Sequence, residues 1–277
     1  GTEIRGIEAE ITRLSTTMGV SSQELVNLTL ILKQAGLSLK DTKIALEAVS
    51  QANLGPNFGS ALEITETLIA AFRQFNIPAT QFREVLGSMS AVAGDFAVEG
   101  RDLTVALRGV GGVASQTGTS LNELLALFSS IRSTTRESAE TISTGLRSIL
   151  TRIQRGSTVE MLKDLQINLR YTSQESQRLA GNDSLENQFV GAYEAVRRLS
   201  EGLKGLQTTD PRYAAVVESL GGYRQISKVI PLLTQFGEAE RALAVAQTGG
   251  VSVTLAAEKA QESLAVQFSK TREEWLA

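Results

Sequence analysis

The sequence predicts an all-α protein, a compact bundle of about 10–13 short-to-medium amphipathic helices with internal duplication of helical hairpins. Three observations carry that expectation. Apolar residues recur at helical spacing along nearly the whole chain of 277 residues. Proline is scarce, with 4 in all, whereas the 24 glycines fall mainly between the apolar stripes, where helices end. The pattern Gly-x-Ser-x-x-(Glu/Asp) occurs three times, at Gly19, Gly36 and Gly118, and each copy is a helix stop followed by a helix start.

The clearest stretch is Gly118–Ile153. Ser120 and Glu123 have the spacing of a capping box, in which each side chain satisfies the other residue's free backbone N–H. Leu121, Leu124, Leu125, Phe128 and Ile131 then share one helical face. A polar turn is expected over Arg132–Glu137. A second stripe follows, made by Ile142, Leu146, Ile149, Leu150 and Ile153. Neither stripe can be buried alone, so the two helices should pair as an antiparallel hairpin against further helices.

From the start, residues Thr2–Met18 form an amphipathic helix with Ile4, Ile7, Ile11 and Leu14 on one side. A second helix carries Leu25, Leu28, Ile31 and Leu32. A third carries Ile44, Ala45, Ala48 and Val49 and ends near Asn53. The run Gly55–Gly59 is a turn, with Pro56 placed to start a helix. The next helix bears Leu62, Ile64, Leu68, Ile69, Phe72 and Phe75. It stops at Asn76-Ile77-Pro78, after which Phe82, Val85, Leu86, Met89 and Val92 mark another. Leu103, Ala106, Leu107, Val110 and Val113 follow. The glycines at 109, 111 and 112 inside that stripe imply either a kink or the close approach of a neighbouring helix.

Beyond Gly156 the texture changes, and a boundary is expected there: 1–156 as a core of repeated hairpins, 157–277 as a second helical subdomain leading into a longer helical region. Ser157–Leu165 is a short helix. Ile167–Tyr171 alternates, as an extended segment or a loop. Gly181-Asn182-Asp183 is a turn, and Ser184–Leu206 reads as helix. Asp210 is an N-cap candidate with Pro211 in first position, opening a helix to Leu220. Tyr223 to about Gln247 reads as one helix, kinked at Pro231, and Val253–Trp275 as the last.

Composition removes several chemistries. With no Cys and no His, thiolate nucleophiles, disulfides and the commonest general base and metal ligand are absent. No enzyme, cofactor or metal site is expected. The carboxylates with suggestive spacing are Glu63 with Glu66 and Asp95 with Glu99, and solvated helix-surface acids explain both pairs. The formal net charge is −3, which argues against a dedicated nucleic-acid binder. A local run is basic (Arg132, Arg136, Arg147, Arg152, Arg155) but includes Glu137 and Glu140, so it reads as a solvated face in preference to a phosphate-binding strip. No apolar run approaches the roughly 20 residues of a membrane-spanning helix. The opening Gly-Thr reads as the start of an excised fragment.

The order of these pieces resembles the core region of the tail tape measure proteins of long-tailed bacteriophages. The resemblance rests on the Gly-x-Ser helices, the stretch Phe72–Ile77, Leu103–Gly112, Gly118–Phe128 and Gly145–Leu150, with Tyr213–Val229 similar to the family's stretch beyond its core. It covers most of the chain and is densest over Gly19–Ile153. It implies a non-catalytic, helical virion component in the lumen of the tail tube that sets tail length, templates tube assembly and is released during DNA ejection. The implied partners are the tail tube protein, tail assembly chaperones and tail tip or baseplate proteins, with a homo-oligomer, a trimer, in the tail and no specific nucleic acid. The residues alone also fit a soluble helical interaction or chaperone-like scaffold module.

Overall fold

The computed structural model describes residues 2–18, 20–53 and 58–249. The expected turn at Pro56, Gly19 of the first Gly-x-Ser copy and the final helix with Trp275 lie outside the described residues. The fold is all-α: fourteen α-helices and three single 3₁₀ turns, with one isolated antiparallel bridge, Arg170 to Phe189, among the described residues. The helices gather into two units. The first holds the described residues of 1–95, 99–104 and 245–249, and the second holds 96–98 and 105–244.

In the first unit, α1 (Thr2–Met18), α2 (Ser22–Gln34), α4 (Ala61–Phe75) and α5 (Phe82–Asp95) all pack on α3 (Leu39–Asn53). The sequence explains why α3 is central. Its buried positions include Thr42, Ala45, Ala48, Ser50 and Ala52, small side chains that let several helices come close at once. Around it Leu14, Leu25, Leu28, Leu32, Ile64, Leu68, Phe82, Leu86 and Met89 are buried. Leu62, expected on the apolar stripe, is instead exposed, as are Val26 and Leu30.

The second unit is built on the expected hairpin, α7 (Leu121–Thr135) and α8 (Ala139–Arg152). Every residue from Leu124 to Ile131 is buried. The polar turn is shorter than expected. Helix α7 runs on to Thr135, and Arg136 closes it in the left-handed region (φ 57°), with Ser138 capping α8 two residues later. The hairpin packs on α13 (Ile226–Thr234), with α11 (Ala192–Gly202) against α7 and α12 (Pro211–Gly221) against α8. Helix α9 (Gly156–Asp164) packs on α12, so the expected boundary at Gly156 falls inside this unit.

At Gly36 and Gly118 the recurring Gly-x-Ser pattern has the same geometry. Gly36 and Gly118 have φ of +90° and +70°, a region closed to most side chains, and they sit at the C-terminal ends of α2 and α6 (Gly100–Gln116). The Gly36 N–H donates to Lys33 O and the Leu37 N–H to Leu32 O. The Gly118 N–H likewise donates to Ser115 O and the Thr119 N–H to Ala114 O. These are paired Schellman bonds, and the next residue is already the N-cap of the following helix. Ser38 accepts from the Asp41 N–H (3.0 Å), and Ser120 and Glu123 complete a capping box. Ser21 caps α2 in the same way by accepting from the Glu24 N–H.

Helix α6 runs unbroken through Gly109 and Gly112, and neither position needs a glycine for space. A Cβ at Gly109 would lie 3.4 Å from Ser143 Cβ on α8. Gly112 faces open space.

Three expectations are corrected. The span 184–206 is not one helix: Asp183–Leu185 is a 3₁₀ turn, residues 186–191 are irregular, and α11 starts only at Ala192, after Gly191 at φ +88°. A helix not read from the sequence, α10 (Ser173–Ala180), precedes it. Thr172 and Glu175 form its capping box, yet only Ser176 is buried, so it shows no apolar stripe. The span 223–247 is also split, into a 3₁₀ turn, α13 and α14 (Phe236–Thr248), parting at Gln235. Pro231 lacks an N–H and crowds the preceding turn, so α13 is weakened from within. The alternating run 167–171 is extended: the Val190 N–H donates to Leu169 O, and Tyr171 exchanges bonds with Gln188 O and the Asn187 N–H.

Candidate functional site

Glu63 is consumed by local structure. Its carboxylate accepts from the Ser60 N–H (2.9 Å), which with Arg101 at 3.2 Å holds its pKa below the usual carboxylate range. Glu66 is half-buried on the same helix, and Asp95 and Glu99 are exposed. Among the described residues no cluster of three or more carboxylates could hold a metal ion.

The basic run resolves into two groups. Arg136 leaves the strip by closing α7 and donating to Ala97 O. Glu137, expected to neutralise the run, is taken by Lys228 on α13. The two approach to 2.5 Å, with the lysine side chain 6% exposed, and the hydrogen bond from Lys228 lowers the Glu137 pKa. Arg147, Arg152 and Arg155, by contrast, line one groove with Thr144, Ser148 and Thr151. A contiguous groove of about 480 Å³ shares Thr144, Ser148 and Arg152 and adds Tyr223, Arg224 and Gln225 from the turn after α12. The two elements meet closely: a Cβ at Gly222 would lie 3.0 Å from Arg152 Nη1. Arg147 also donates to Gly109 O (2.5 Å), and Tyr223 is 80% exposed. Among the described residues, no carboxylate lies within salt-bridge distance of any of these four arginines. Sequence reading missed Tyr223 and Arg224, because they stand about seventy residues from α8 and no local periodicity links them.

A second polar cluster, also unread in the sequence, is structural. Arg198 on α11 reaches Glu175 on α10 (2.8 Å), Glu194 (2.9 Å) and the carbonyl of Asn168 (2.9 Å), with its guanidinium 5.9 Å from the Tyr171 ring centroid. One side chain thus ties α10 and the bridged segment to α11. Burial raises the Glu194 pKa, but hydrogen bonds from Arg197 and Arg198 outweigh it and the net shift is downward. Glu175 is lowered first by the Thr172 N–H and then by Arg198.

Residues 8–222 match the family model of the phage-related minor tail proteins. The chain belongs to that family. The match runs from α1 to the end of α12, so it takes in the whole stop-and-start series and three of the four groove arginines. Membership makes this a structural protein of the phage tail, whose partners are other tail proteins. No helix among the described residues is long and apolar enough to cross a membrane. No solved structure matches the chain.

Proposed function

We propose that this phage tail protein is a segment of a tail tape measure protein, a non-enzymatic virion component that sets tail length, templates tube assembly from within the lumen and leaves the tube during DNA ejection. The observation that carries the reading is the serial order of capped helices across 19–153, which resembles the tape measure core, inside a stretch matched to the tail family. The tube protein, tail assembly chaperones and tip or baseplate proteins are the partners under this reading, and three copies share the lumen.

The test is a length measurement. Duplicating residues 61–153 in the parent gene lengthens the tail, by up to about 140 Å if the added residues lie as helix along the tube axis. Infectious particles with tails of unchanged length would falsify the reading.

The compact units must open to enter or leave a tube. Buried hydroxyls supply a reason for them to do so. Ser129, Ser130 and Ser143 in the α7–α8 hairpin are buried with no hydrogen-bond partner, and each orphan group costs roughly 1–3 kcal/mol. On this reading the units open locally, below the cost of global unfolding. Hydrogen exchange checks this, since uniform, global protection across all helices is incompatible with it.

A further inference from the structure

Among the described residues, the groove between α8 and the turn at 222–225 is a strongly charged surface that the proposed length-setting role does not use, and of its arginines Arg147 alone is tied to another helix, through Gly109 O. Elsewhere many of the described cations are spent on the protein itself. Arg13, Arg83, Arg101, Arg197, Arg198, Arg212, Lys163, Lys228 and Arg241 all pair with carboxylates. Arg147, Arg152, Arg155 and Arg224 do not, and they converge from two separate elements on one groove whose lining contains no acid. Holding four guanidiniums together without counter-charge disfavours the free protein, and a partner's negative groups relieve it.

We propose that this groove is a docking surface for a short acidic segment of another tail protein. Guanidiniums suit carboxylates because both are planar and can bond through two parallel hydrogen bonds. The Ser148 hydroxyl adds a neutral donor along the same wall, whereas Thr144 and Thr151 already donate to the Glu140 and Arg147 carbonyls. Tyr223, exposed at the rim, offers a rigid amphipathic contact of the kind enriched at the anchor points of interfaces.

Two features favour a protein segment over nucleic acid. The arginines of α8 and the turn after it span only about 12 Å, room for a few carboxylates, whereas affinity for a nucleic acid comes from about 6–10 neutralised phosphates. The chain as a whole carries a net charge of −3 and so repels a long polyanion, while a short acidic patch feels chiefly the local arginines. The inference rests on membership of the tail family and holds whether or not the chain sets tail length.

Fluorescence anisotropy on the full chain tests it, with a labelled octaglutamate peptide as probe. The expected result is saturable binding at about 20 mM salt that weakens steeply by about 200 mM. The double variant Arg152→Ala/Arg224→Ala loses at least about tenfold in affinity. Arg178→Ala, which removes an exposed arginine on α10, stays within about twofold. Circular dichroism confirms that each variant keeps its helix content, and Arg152→Gln/Arg224→Gln repeats the test with longer polar side chains. Absence of saturable binding at low salt, equal losses in the groove and Arg178 variants, or tighter binding to a dT oligomer of about 20 nucleotides than to the peptide would each overturn the proposal.

Discussion

The two units are held together by different forces. In the first, described side-chain hydrogen bonds are local, made within a turn or two by caps such as Ser38–Asp41 and Ser60–Glu63. Its long-range links are exposed ion pairs, among them Arg83–Glu47 and Arg101–Glu63. The second is crossed by polar tethers between distant elements. Thr134 donates to Gln235, Ser200 to Leu233 O, Arg198 to Asn168 O, and Lys228 pairs with Glu137. It also holds most of the buried hydroxyls that lack a partner, Ser129, Ser130, Ser143, Tyr193 and Tyr213 among them, against Ser50 in the first. Apolar packing of small residues around α3 tolerates small shifts. A polar interior is sharper: it specifies one arrangement when bonded and penalises every gap.

That contrast can be broken by mutation. The largest effect is expected at Phe128, fully buried at the centre of α7. Phe128→Ala costs about 3–5 kcal/mol and lowers the thermal midpoint more than any change below. Next comes Arg198→Met, which takes from Glu175 its partner on α11 and leaves Glu194 with Arg197 alone. With a side chain only 14% exposed it costs about 2–3 kcal/mol, seen as lost amide protection in α10 and α11. Acid does the same reversibly. Glu137, Glu175 and Glu194 have folded pKa values lowered below their unfolded values. Their contribution is therefore present above about pH 4.3 and lost as pH falls through the folded values. In the first unit the described carboxylate with a lowered pKa is Glu63 alone. Hydrogen exchange read down to about pH 3 should therefore show α10, α11 and the 136–138 turn opening before α3; simultaneous loss would erase the distinction.

Two smaller changes sharpen it. Ser60→Ala and Ser120→Ala remove the same capping box, one in each unit, and each costs about 1 kcal/mol by chemical denaturation, since a local device is blind to its surroundings. Ser130→Ala is expected to stabilise, by up to about 1 kcal/mol, because it deletes an orphan buried hydroxyl and adds a better helix former. A loss of stability there would mean that the hydroxyl is bonded in solution.

How much of this was legible in the sequence follows the same division. Local chemistry was readable: Ser38, Ser120 with Glu123 and Asp210 with Pro211 act as written, and the Ser60–Glu63 box, though not read, stood in the letters too, because a cap involves residues two or three apart. Helix α10 shows the limit. Its Thr172–Glu175 box was present in the letters, but its nearly stripe-free surface hid it from a periodicity argument. The helix end read at Leu165 is confirmed to within a residue, but its device was not legible: Gln166 adopts φ +59° and makes the paired stop bonds of Gly36 without being glycine. The groove was half legible. The arginines of α8 stand out, but only the fold reveals that Glu137 is engaged elsewhere and that Tyr223 and Arg224 complete the wall.

The stop-and-start joints also fix how the chain would respond to pulling. From the end of α2 to the start of α3, and from α6 to α7, only four residues intervene. Drawn straight, such a joint yields at most about 14 Å of contour. A helix like α3, with 15 residues, releases about 28 Å when its rise changes from about 1.5 to about 3.4 Å per residue. At these joints slack is therefore stored in the helices and hardly at all in the connections. Any large extension must proceed by unravelling turns, in steps whose size is set by helix length and whose order is set by which helix is least well anchored.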